Sequence, residues 1–291
     1  MTNHLEGIFP ALVTPLKADE TVDTVALEQL LERVYSAGVH GVYICGSTGE
    51  GQSLPEASRR TVMEVVSRNT PKDRKMIAHV GAASFGEAAS LARHAAVHGA
   101  VAFSSLRPAG ASFPELKAYY RDLAASTDLP FLAYYFPNAA DQLSYSQLLE
   151  ICELPGIAGL KFTDYDLFTL SSLVRAGNTM FNGRDEVLSA GLLMGAHGGI
   201  GSIYNLVPGM FVELYHHARA GRWQEAVALQ DRINLLIRVL IRFPFIAALK
   251  QYLRWDGLEC GIVTRPRLEL TAAETVALRE ALTPLGLLPP A

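Results

Sequence analysis

Eight short apolar runs alternate with helical patterns along the chain, and this alternation limits the fold more than any other feature. Strands are expected at Ile8–Pro15, Gly41–Cys45, Met76–Val80, Ala100–Ser104, Pro130–Tyr135, Ile157–Lys161, Thr179–Asn182 and Gly199–Ser202. Apolar residues recur at helical spacing in Val25–Ala37, Glu56–Ser67, Gly86–His98, Pro114–Ala125, Tyr145–Cys152, Leu167–Ala176 and Glu186–Met194. Strands that alternate with helices indicate an α/β fold with a parallel sheet. A count of eight favours a closed (β/α)8 TIM barrel over an open doubly wound sheet.

Further helical patterns follow the eighth strand, at Pro208–Arg219, Arg222–Arg242 and Ile246–Trp255, and a last segment starts at Thr271. No linker rich in Pro, Gly or Ser separates them from the barrel. We therefore expect a barrel core over residues 1–207 and a C-terminal helical appendix over residues 208–291, packed on the barrel as one structural unit. Capping boxes predict three helix starts, at Ser53-x-x-Glu56, Ser84-x-x-Glu87 and Ser144-x-x-Gln147.

The composition argues against several classes of partner. Charged residues make up 19% of the chain, the net charge is −4, and no block of Lys and Arg offers a surface to nucleic acid or an anionic membrane. The N-terminus lacks the pattern of a signal peptide and no apolar run is long enough to span a bilayer, so we expect a cytoplasmic protein. The wide spacing of Cys45, Cys152 and Cys260 argues against a disulfide framework or a structural zinc site.

Lys161 is the residue whose position most suggests chemistry. It follows the apolar run Gly156-Ile157-Ala158-Gly159-Leu160, which is predicted to be a short buried strand. A lysine at the mouth of such a strand is partly desolvated, and desolvation lowers its pKa. The neutral amine can attack a carbonyl carbon and form a Schiff base. The alternative is a lysine at a strand end whose charge reaches water.

Other polar residues follow predicted strands, at the edge where barrel enzymes carry their chemistry. The segment Gly46-Ser47-Thr48-Gly49-Glu50-Gly51 can present N–H groups and two hydroxyls to a small carboxylate, or can be an ordinary glycine turn. Tyr134 and Tyr135 end the fifth strand. Since neighbours on a strand point to opposite faces, only one of these tyrosines can move protons at the barrel mouth.

The loops after the seventh and eighth strands fit either a polyol or a phosphate. The acids in Asn182-Gly183-Arg184-Asp185-Glu186 either accept hydrogen bonds from substrate hydroxyls or start a helix. The segment Gly198-Gly199-Ile200-Gly201-Ser202 lies where many barrels hold phosphate, so a phosphosugar enzyme is an alternative. Two neighbouring acids would repel a dianion, and this favours an unphosphorylated polyol. No metal is predicted, because His79 and His197 are single histidines without metal-site spacing.

Together these motifs resemble the N-acetylneuraminate lyase / dihydrodipicolinate synthase superfamily of pyruvate-dependent class I aldolases, over nearly the whole chain. By this resemblance the catalytic residues are the Schiff-base lysine Lys161, the proton shuttle Tyr134, and Ser47, which holds the pyruvate carboxylate together with Thr48. The resemblance also implies that the rest of the substrate contacts Thr163, Gly183, Asp185, Glu186 and Ser202.

Within the superfamily the sequence is closer to the lyase branch. Ala78-His79-Val80-Gly81 resembles the end of the lyases' third strand. The synthases use an arginine shortly after the strand-five proline to hold a second carboxylate, whereas Pro137 is followed here by Asn138-Ala139-Ala140-Asp141, which speaks against a dicarboxylic product. Two departures from the lyase pattern concern the substrate end of the site. Asn138 and Asp141 replace a small-residue loop, and Leu106-Arg107-Pro108-Ala109-Gly110 replaces an aromatic pair.

The resemblance implies a lyase that cleaves or forms a C–C bond between pyruvate and an aldehyde, as N-acetylneuraminate lyase does. The alternatives are a 2-keto-3-deoxy sugar acid aldolase or dehydratase, a dihydrodipicolinate synthase, and a catalytically silent barrel that binds a sugar acid. No metal or organic cofactor is expected, because the lysine supplies the electron sink. The expected partner is a small 2-keto acid derived from pyruvate, and the resemblance implies a homotetramer.

Overall fold

The computed structural model describes residues 5–138 and 141–288 and confirms the predicted barrel. Its eight parallel strands are Gly7–Pro10 (β1), Gly41–Ile44 (β2), Lys75–His79 (β3), Ala102–Leu106 (β4), Phe131–Tyr135 (β5), Ile157–Phe162 (β6), Thr179–Asn182 (β7) and Gly198–Gly201 (β8). They are hydrogen-bonded in the order β1-β8-β7-β6-β5-β4-β3-β2. A parallel bridge between Ala11 and Tyr43 joins β1 to β2 and closes the ring.

Helices follow the strands and continue past the last one. They are Thr24–Ser36 (α1), Glu56–Asn69 (α2), Phe85–Val97 (α3), Phe113–Ala124 (α4), Tyr145–Cys152 (α5), Leu167–Arg175 (α6), Leu188–Leu193 (α7), Pro208–Arg219 (α8), Trp223–Leu240 (α9), Phe245–Trp255 (α10) and Ala272–Leu282 (α11). None of the helices within residues 5–138 and 141–288 is long and apolar enough to cross a membrane.

Two of the three predicted capping serines begin helices as expected. Ser84 accepts a hydrogen bond from the Glu87 N–H at 3.2 Å, and Ser144 forms a complete capping box with Gln147. The prediction for Ser53 was wrong. Helix α2 begins after Pro55, whose φ of −57° already suits a helix start, and it has no side-chain cap. The Ser53 hydroxyl instead accepts a hydrogen bond from Arg267, which lies in the C-terminal segment.

The predicted helix over Glu186–Met194 also differs from the structure. A 3₁₀ turn occupies Asp185–Val187, and α7 starts only at Leu188. The Asp185 side chain accepts the Ile203 N–H, and the Asp185 carbonyl accepts a hydrogen bond from Gln230. These hydrogen bonds to distant residues stabilise a 3₁₀ turn where the first turn of the α-helix was predicted.

The barrel interior is a small apolar cluster, separate from the larger core between strands and helices. It comprises Leu5, Phe9, Ala11, Tyr43, Ile77, Ala102, Leu132, Phe181 and Ile200. Register partners in a parallel sheet point to the same face, and Lys161 pairs with Tyr134 of β5 and with the interior residue Phe181 of β7. Both Lys161 and Tyr134 therefore face the inside of the barrel, near the carboxyl ends of their strands.

Candidate active site

A cavity of about 300 Å³ opens at the carboxyl ends of the strands. All of the predicted catalytic and substrate-binding residues line it, namely Ser47, Thr48, Tyr134, Lys161, Thr163, Gly183, Asp185, Glu186 and Ser202. They come from β5 and from the ends of β2, β6, β7 and β8. The closed sheet thus brings side chains that are far apart in sequence to one end of the barrel.

The Lys161 amine lies between two aromatic rings inside the barrel. Its Nζ is 4.0 Å from the centroid of the Tyr134 ring and 4.1 Å from that of Tyr43. Lys161 is only 4% exposed, and this burial lowers its pKa. The Tyr134 hydroxyl and the Asp185 carboxylate offset part of the shift by favouring the ammonium. The direction of the shift is the one that a nucleophilic amine requires.

The Gly46–Gly51 turn presents Ser47 and Thr48 to the cavity. Thr48 Oγ1 lies 2.6 Å from Ser202 Oγ, and this hydrogen bond joins the turn to the loop after β8. Cys45 and Glu50 have φ angles of 56° and 57°, a left-handed conformation that is strained for residues other than glycine. A strained backbone of this kind persists only where neighbouring groups fix it. Here the contacts of the Glu50 side chain fix the end of the turn.

Glu50 ties the turn to the C-terminal segment through a buried ion pair. Its Oε1 lies 2.9 Å from Lys250 Nζ, and neither side chain is more than 2% exposed. Its Oε2 accepts hydrogen bonds from the N–H and the hydroxyl of Thr264, each at 2.7 Å. Lys250 donates its hydrogen bond to the Ile262 carbonyl. Sequence analysis missed this support, because the Glu50–Thr264 contact joins residues 214 positions apart and no local pattern encodes it.

The two adjacent tyrosines of β5 have different surroundings. Tyr134 is 4% exposed, faces Lys161, and stacks on Phe136 with a centroid distance of 6.1 Å and an interplanar angle of 6°. Tyr135 packs on the outer side of the sheet, and its hydroxyl accepts the Leu143 N–H at 3.1 Å. Of these two tyrosines, Tyr134 is therefore the one that lies on the Lys161 side of the sheet.

The two neighbouring acids after β7 differ in depth. Asp185 is buried, its Oδ2 accepts the Ile203 N–H at 2.8 Å, and burial raises its pKa to about 7 although that N–H partly opposes the shift. A Cβ at position 201 would lie 1.8 Å from Asp185 Oδ1, so Gly201 makes room for the carboxyl group. Glu186 lies at the rim and accepts a hydrogen bond from the Tyr165 hydroxyl.

The position of Asp185 also bears on the phosphosugar alternative. Its carboxyl group takes the Ile203 N–H at the loop after β8, where barrels that bind phosphate use such donors. A phosphate would have to replace this side chain. The structure therefore favours the unphosphorylated substrate that the pair of acids suggested.

Thr163 and Gly183 form a tight contact at the ends of β6 and β7. A Cβ at position 183 would lie 2.0 Å from Thr163 Oγ1, so only glycine fits there. Within the described part of the chain, the buried Thr163 Oγ1 has no hydrogen-bond partner. This hydroxyl is therefore available to a ligand in the cavity, since a buried polar atom normally finds a partner.

The cavity has further walls that sequence analysis did not assign. Arg184 lines the mouth, and its Cζ lies 4.4 Å from the centroid of the Tyr165 ring and 5.3 Å from that of Phe136. Its place beside the predicted acids was a signal that could have identified it. The opposite wall is apolar and comes from the C-terminal helices, with Ile237, Ile241, Phe245 and Ile246. Helices so remote in sequence from the strand ends gave no such signal.

The two loops whose sequences depart from the lyase pattern, after β4 and after β5, contact each other. Arg107, which follows β4, forms an ion pair with Asp141 at 3.3 Å and donates to the Asp141 carbonyl at 3.2 Å. Asn138 donates to the Asp141 carboxylate at 2.8 Å. The loops after β4 and β5 are thereby bound together. Ala139 and Ala140, also named in that departure, lie outside the described residues.

Within residues 5–138 and 141–288, one cluster of possible metal ligands lies outside the cavity, on helix α2 and at the C-terminal end of α3. Ligand atoms of Glu64, His94 and His98 lie within 4.8 Å of one another. Arg60 donates to His94 Nδ1 at 2.8 Å, and a guanidinium has no acceptor, so the proton of a neutral His94 sits on Nε2. That nitrogen, 3.4 Å from Glu64 Oε1, then carries a hydrogen and has no lone pair to offer a metal.

Comparisons with known proteins agree with this geometry and with the resemblance seen in the sequence. The model of the dihydrodipicolinate synthetase family matches residues 4–285. The N-acetylneuraminate lyase of Rhizobium meliloti (strain 1021) is 38% identical over 287 residues, which cover 97% of this chain and 95% of that protein. The crystal structure of N-acetylneuraminate lyase from Mycoplasma synoviae, crystal form II, has a TM-score of 0.88 at 28% identity, and 97% of this chain and 98% of that one are covered.

A catalytic lysine mutant of the sialic acid aldolase of Ruminococcus gnavus has a TM-score of 0.92 at 25% identity, with 98% of this chain and 97% of that one covered. The match of the family model spans nearly the full length, and so does that of a relative above 30% identity. The chain therefore belongs to the dihydrodipicolinate synthetase family.

Proposed function

We propose that this protein is a Schiff-base (class I) aldolase that cleaves or forms a C–C bond between pyruvate and an aldehyde, in the manner of N-acetylneuraminate lyase. The observation that carries the proposal is the buried Lys161 amine, with a lowered pKa, beside Tyr134 in a cavity lined by hydroxyl groups. The relative from Rhizobium meliloti supports it, since it is an N-acetylneuraminate lyase, and so does the aldolase from Ruminococcus gnavus, since it has a catalytic lysine.

In the cleavage direction the neutral Nζ of Lys161 attacks C2 of a 2-keto acid. The C2 oxygen leaves as water after Tyr134 gives it a proton, and a protonated imine remains. Tyr134 then takes the proton of the C4 hydroxyl while the C3–C4 bond breaks, and the electron pair of that bond flows into the iminium to form an enamine and a free aldehyde. Protonation of C3 and addition of water release pyruvate and restore the amine.

The remaining residues of the cavity bind the two ends of the substrate. Ser47 and Thr48 hold the carboxylate next to C2, from the strained turn that Glu50 anchors. Asp185 and Glu186 meet substrate hydroxyls farther along the chain, and Asp185 can accept or donate because its pKa is about 7. Thr163 and Ser202 add hydroxyl groups between these ends, and Gly183 lets the ligand and Thr163 approach the backbone.

The test of this proposal is a covalent adduct on Lys161. Incubation with pyruvate, reduction with borohydride and peptide mass mapping should locate one adduct, on Lys161. Lys161→Arg should form no adduct and show no turnover, because a guanidinium stays protonated and cannot attack. Lys117→Arg is the matched control, since Lys117 pairs with Glu150 on the surface, and it should keep the adduct. An adduct on Lys250 or another lysine, or none in the wild type, would contradict the proposal.

We further propose that the protein works as a homotetramer in the cytoplasm. The family resemblance implies a tetramer, and an interface between subunits is supported by exposed apolar side chains on the adjacent helices α6 and α7, where Phe168 is 81% and Leu193 58% exposed. A reducing compartment suits the three cysteines, all of which are free and buried. Sedimentation equilibrium measures the number of subunits, and a monomer at micromolar concentration would contradict the first of these proposals.

A further inference from the structure

Arg184 places an unpaired cation at the mouth of the cavity that holds Lys161. Among residues 5–138 and 141–288 its side chain forms no ion pair, and its buried Nε has no hydrogen-bond partner. The adjacent acid, Glu186, accepts a hydrogen bond from Tyr165 instead. Leaving a buried polar atom without a partner is costly, so the unpartnered Nε of a guanidinium that lines this cavity points to a partner on the ligand.

Aromatic contacts hold the guanidinium without using its donors. Phe136 lies on one side, with its centroid 5.3 Å from Arg184 Cζ, and Tyr165 lies at 4.4 Å. Phe136 in turn stacks on Tyr134, so a column of side chains runs from the Schiff-base lysine to the mouth. Cation–π contacts fix the side chain and leave its N–H groups available, and a planar guanidinium can bind a carboxylate through two of them.

This arrangement removes one argument drawn from the sequence. No arginine follows Pro137, and this spoke against a second carboxylate on the substrate. The structure brings a guanidinium to the neighbouring Phe136 from a different loop, the one after β7. The cation comes from a different position in the sequence than in the synthases, but it lies at this end of the cavity.

We propose that Arg184 binds a carboxylate at the far end of the substrate, so that the preferred aldehyde partner of pyruvate carries its own carboxylate. This inference rests on the proposed aldolase function. A singly charged carboxylate fits better than a phosphate dianion, because Asp185 and Glu186 follow Arg184 directly and would repel the second charge. The guanidinium offsets that repulsion for one negative charge.

The test compares two aldehydes that differ only at the far carbon. Tartronate semialdehyde ends in a carboxylate where glyceraldehyde ends in a hydroxymethyl group. With pyruvate as the donor, the wild type should condense tartronate semialdehyde with a kcat/KM about 10- to 100-fold higher, the effect of one charge-assisted contact. Arg184→Met should bring the ratio of the two kcat/KM values close to one. Arg184→Lys should keep an intermediate ratio, because lysine retains the charge and loses the planar fork.

Controls separate this inference from the proposed function. Arg279→Met removes another arginine that lies over an aromatic ring, that of Trp255, far from the cavity, and it should keep the wild-type ratio. The borohydride-trapped pyruvate adduct reports whether each variant has kept an assembled site. A wild type that forms the adduct but prefers glyceraldehyde, or an Arg184→Met variant that keeps the preference, would overturn the role of Arg184 alone. A wild type without the adduct would overturn the aldolase function as well.

Discussion

At the scale of single residues, the two tyrosines of β5 offer a matched comparison. Tyr134→Phe should lower kcat by about 10²- to 10⁴-fold, since it removes the proposed proton shuttle and keeps the ring against Lys161. Tyr135→Phe loses the bond to the Leu143 N–H, which should cost about 1 kcal/mol of stability and little activity. Coupled detection of released pyruvate measures both variants. A larger loss of kcat in Tyr135→Phe would show that Tyr135, and not Tyr134, is the proton shuttle.

Asp185 should make the stability of the fold depend on pH. Its pKa rises from 3.8 in the unfolded chain to about 7 in the folded protein, so between these values the folded state binds more protons. The wild type should therefore lose stability as the pH rises through this window, by at most about 4 kcal/mol. The Asp185→Asn variant has no carboxyl group to titrate at this position, and its amide oxygen can still accept the Ile203 N–H.

Urea unfolding of both proteins at about pH 5 and about pH 8 measures this effect. The free energy of unfolding of the asparagine variant should rise relative to that of the wild type at the higher pH, because the buried carboxylate of the wild type is ionised there. An unchanged difference between the two proteins would mean that Asp185 is ionised already at the lower pH. The same titration bears on the site, since the neutral acid can donate a hydrogen bond and the carboxylate cannot.

At the scale of elements, the Glu50–Lys250 pair should hold the Gly46–Gly51 turn against its own strain. Glu50→Gln leaves the Lys250 charge buried and unpaired, which should cost about 3–5 kcal/mol of stability. Lys250→Met should cost a similar amount. The double variant should be destabilised by less than the sum, because it leaves no buried charge behind. Additive losses in urea unfolding would show that the two side chains do not act as a pair.

The same element shows where sequence-based prediction succeeds and where it stops. The Ser47–Thr48 turn could be predicted, because glycines and hydroxyls followed a strand at the catalytic end of a barrel. Its support could not, because Lys250 and Thr264 meet Glu50 only in the closed fold. The Ser53 cap failed for a local reason, since Pro55 set the helix start two residues later. The partners of Glu50 that are distant in sequence, and the contacts of Arg184 with Phe136 and Tyr165, therefore needed the structure.

At the scale of the whole molecule, the sequence predicted the barrel because strands that alternate with helices indicate a parallel sheet, and a count of eight favours a closed sheet over an open one. The two-residue period indicated that only one of Tyr134 and Tyr135 points inward, and the family resemblance selected Tyr134. The register of the strands places Tyr134 and Lys161 on the same face, inside the barrel. Sequence patterns did not show that α9 and α10 would supply a wall of the cavity. A helix pattern indicates which of its faces is apolar but not which neighbour that face meets.

That wall predicts that the barrel and its C-terminal helices unfold together. Both tryptophans of the chain, Trp223 and Trp255, lie in α9 and α10, so tryptophan fluorescence reports on the C-terminal helices alone. Far-ultraviolet circular dichroism reports on all helices and strands.

Glu50 is bound to Lys250, and Gln230 donates to the Asp185 carbonyl, so loss of the helices would uncover a buried charge and the site itself. The two signals should therefore change at the same urea concentration, as expected for one cooperative unit. A chain ending at residue 207 should fail to fold for the same reason. Fluorescence that changes well before circular dichroism would instead show that the helices form a separate unit and that the barrel stands without them.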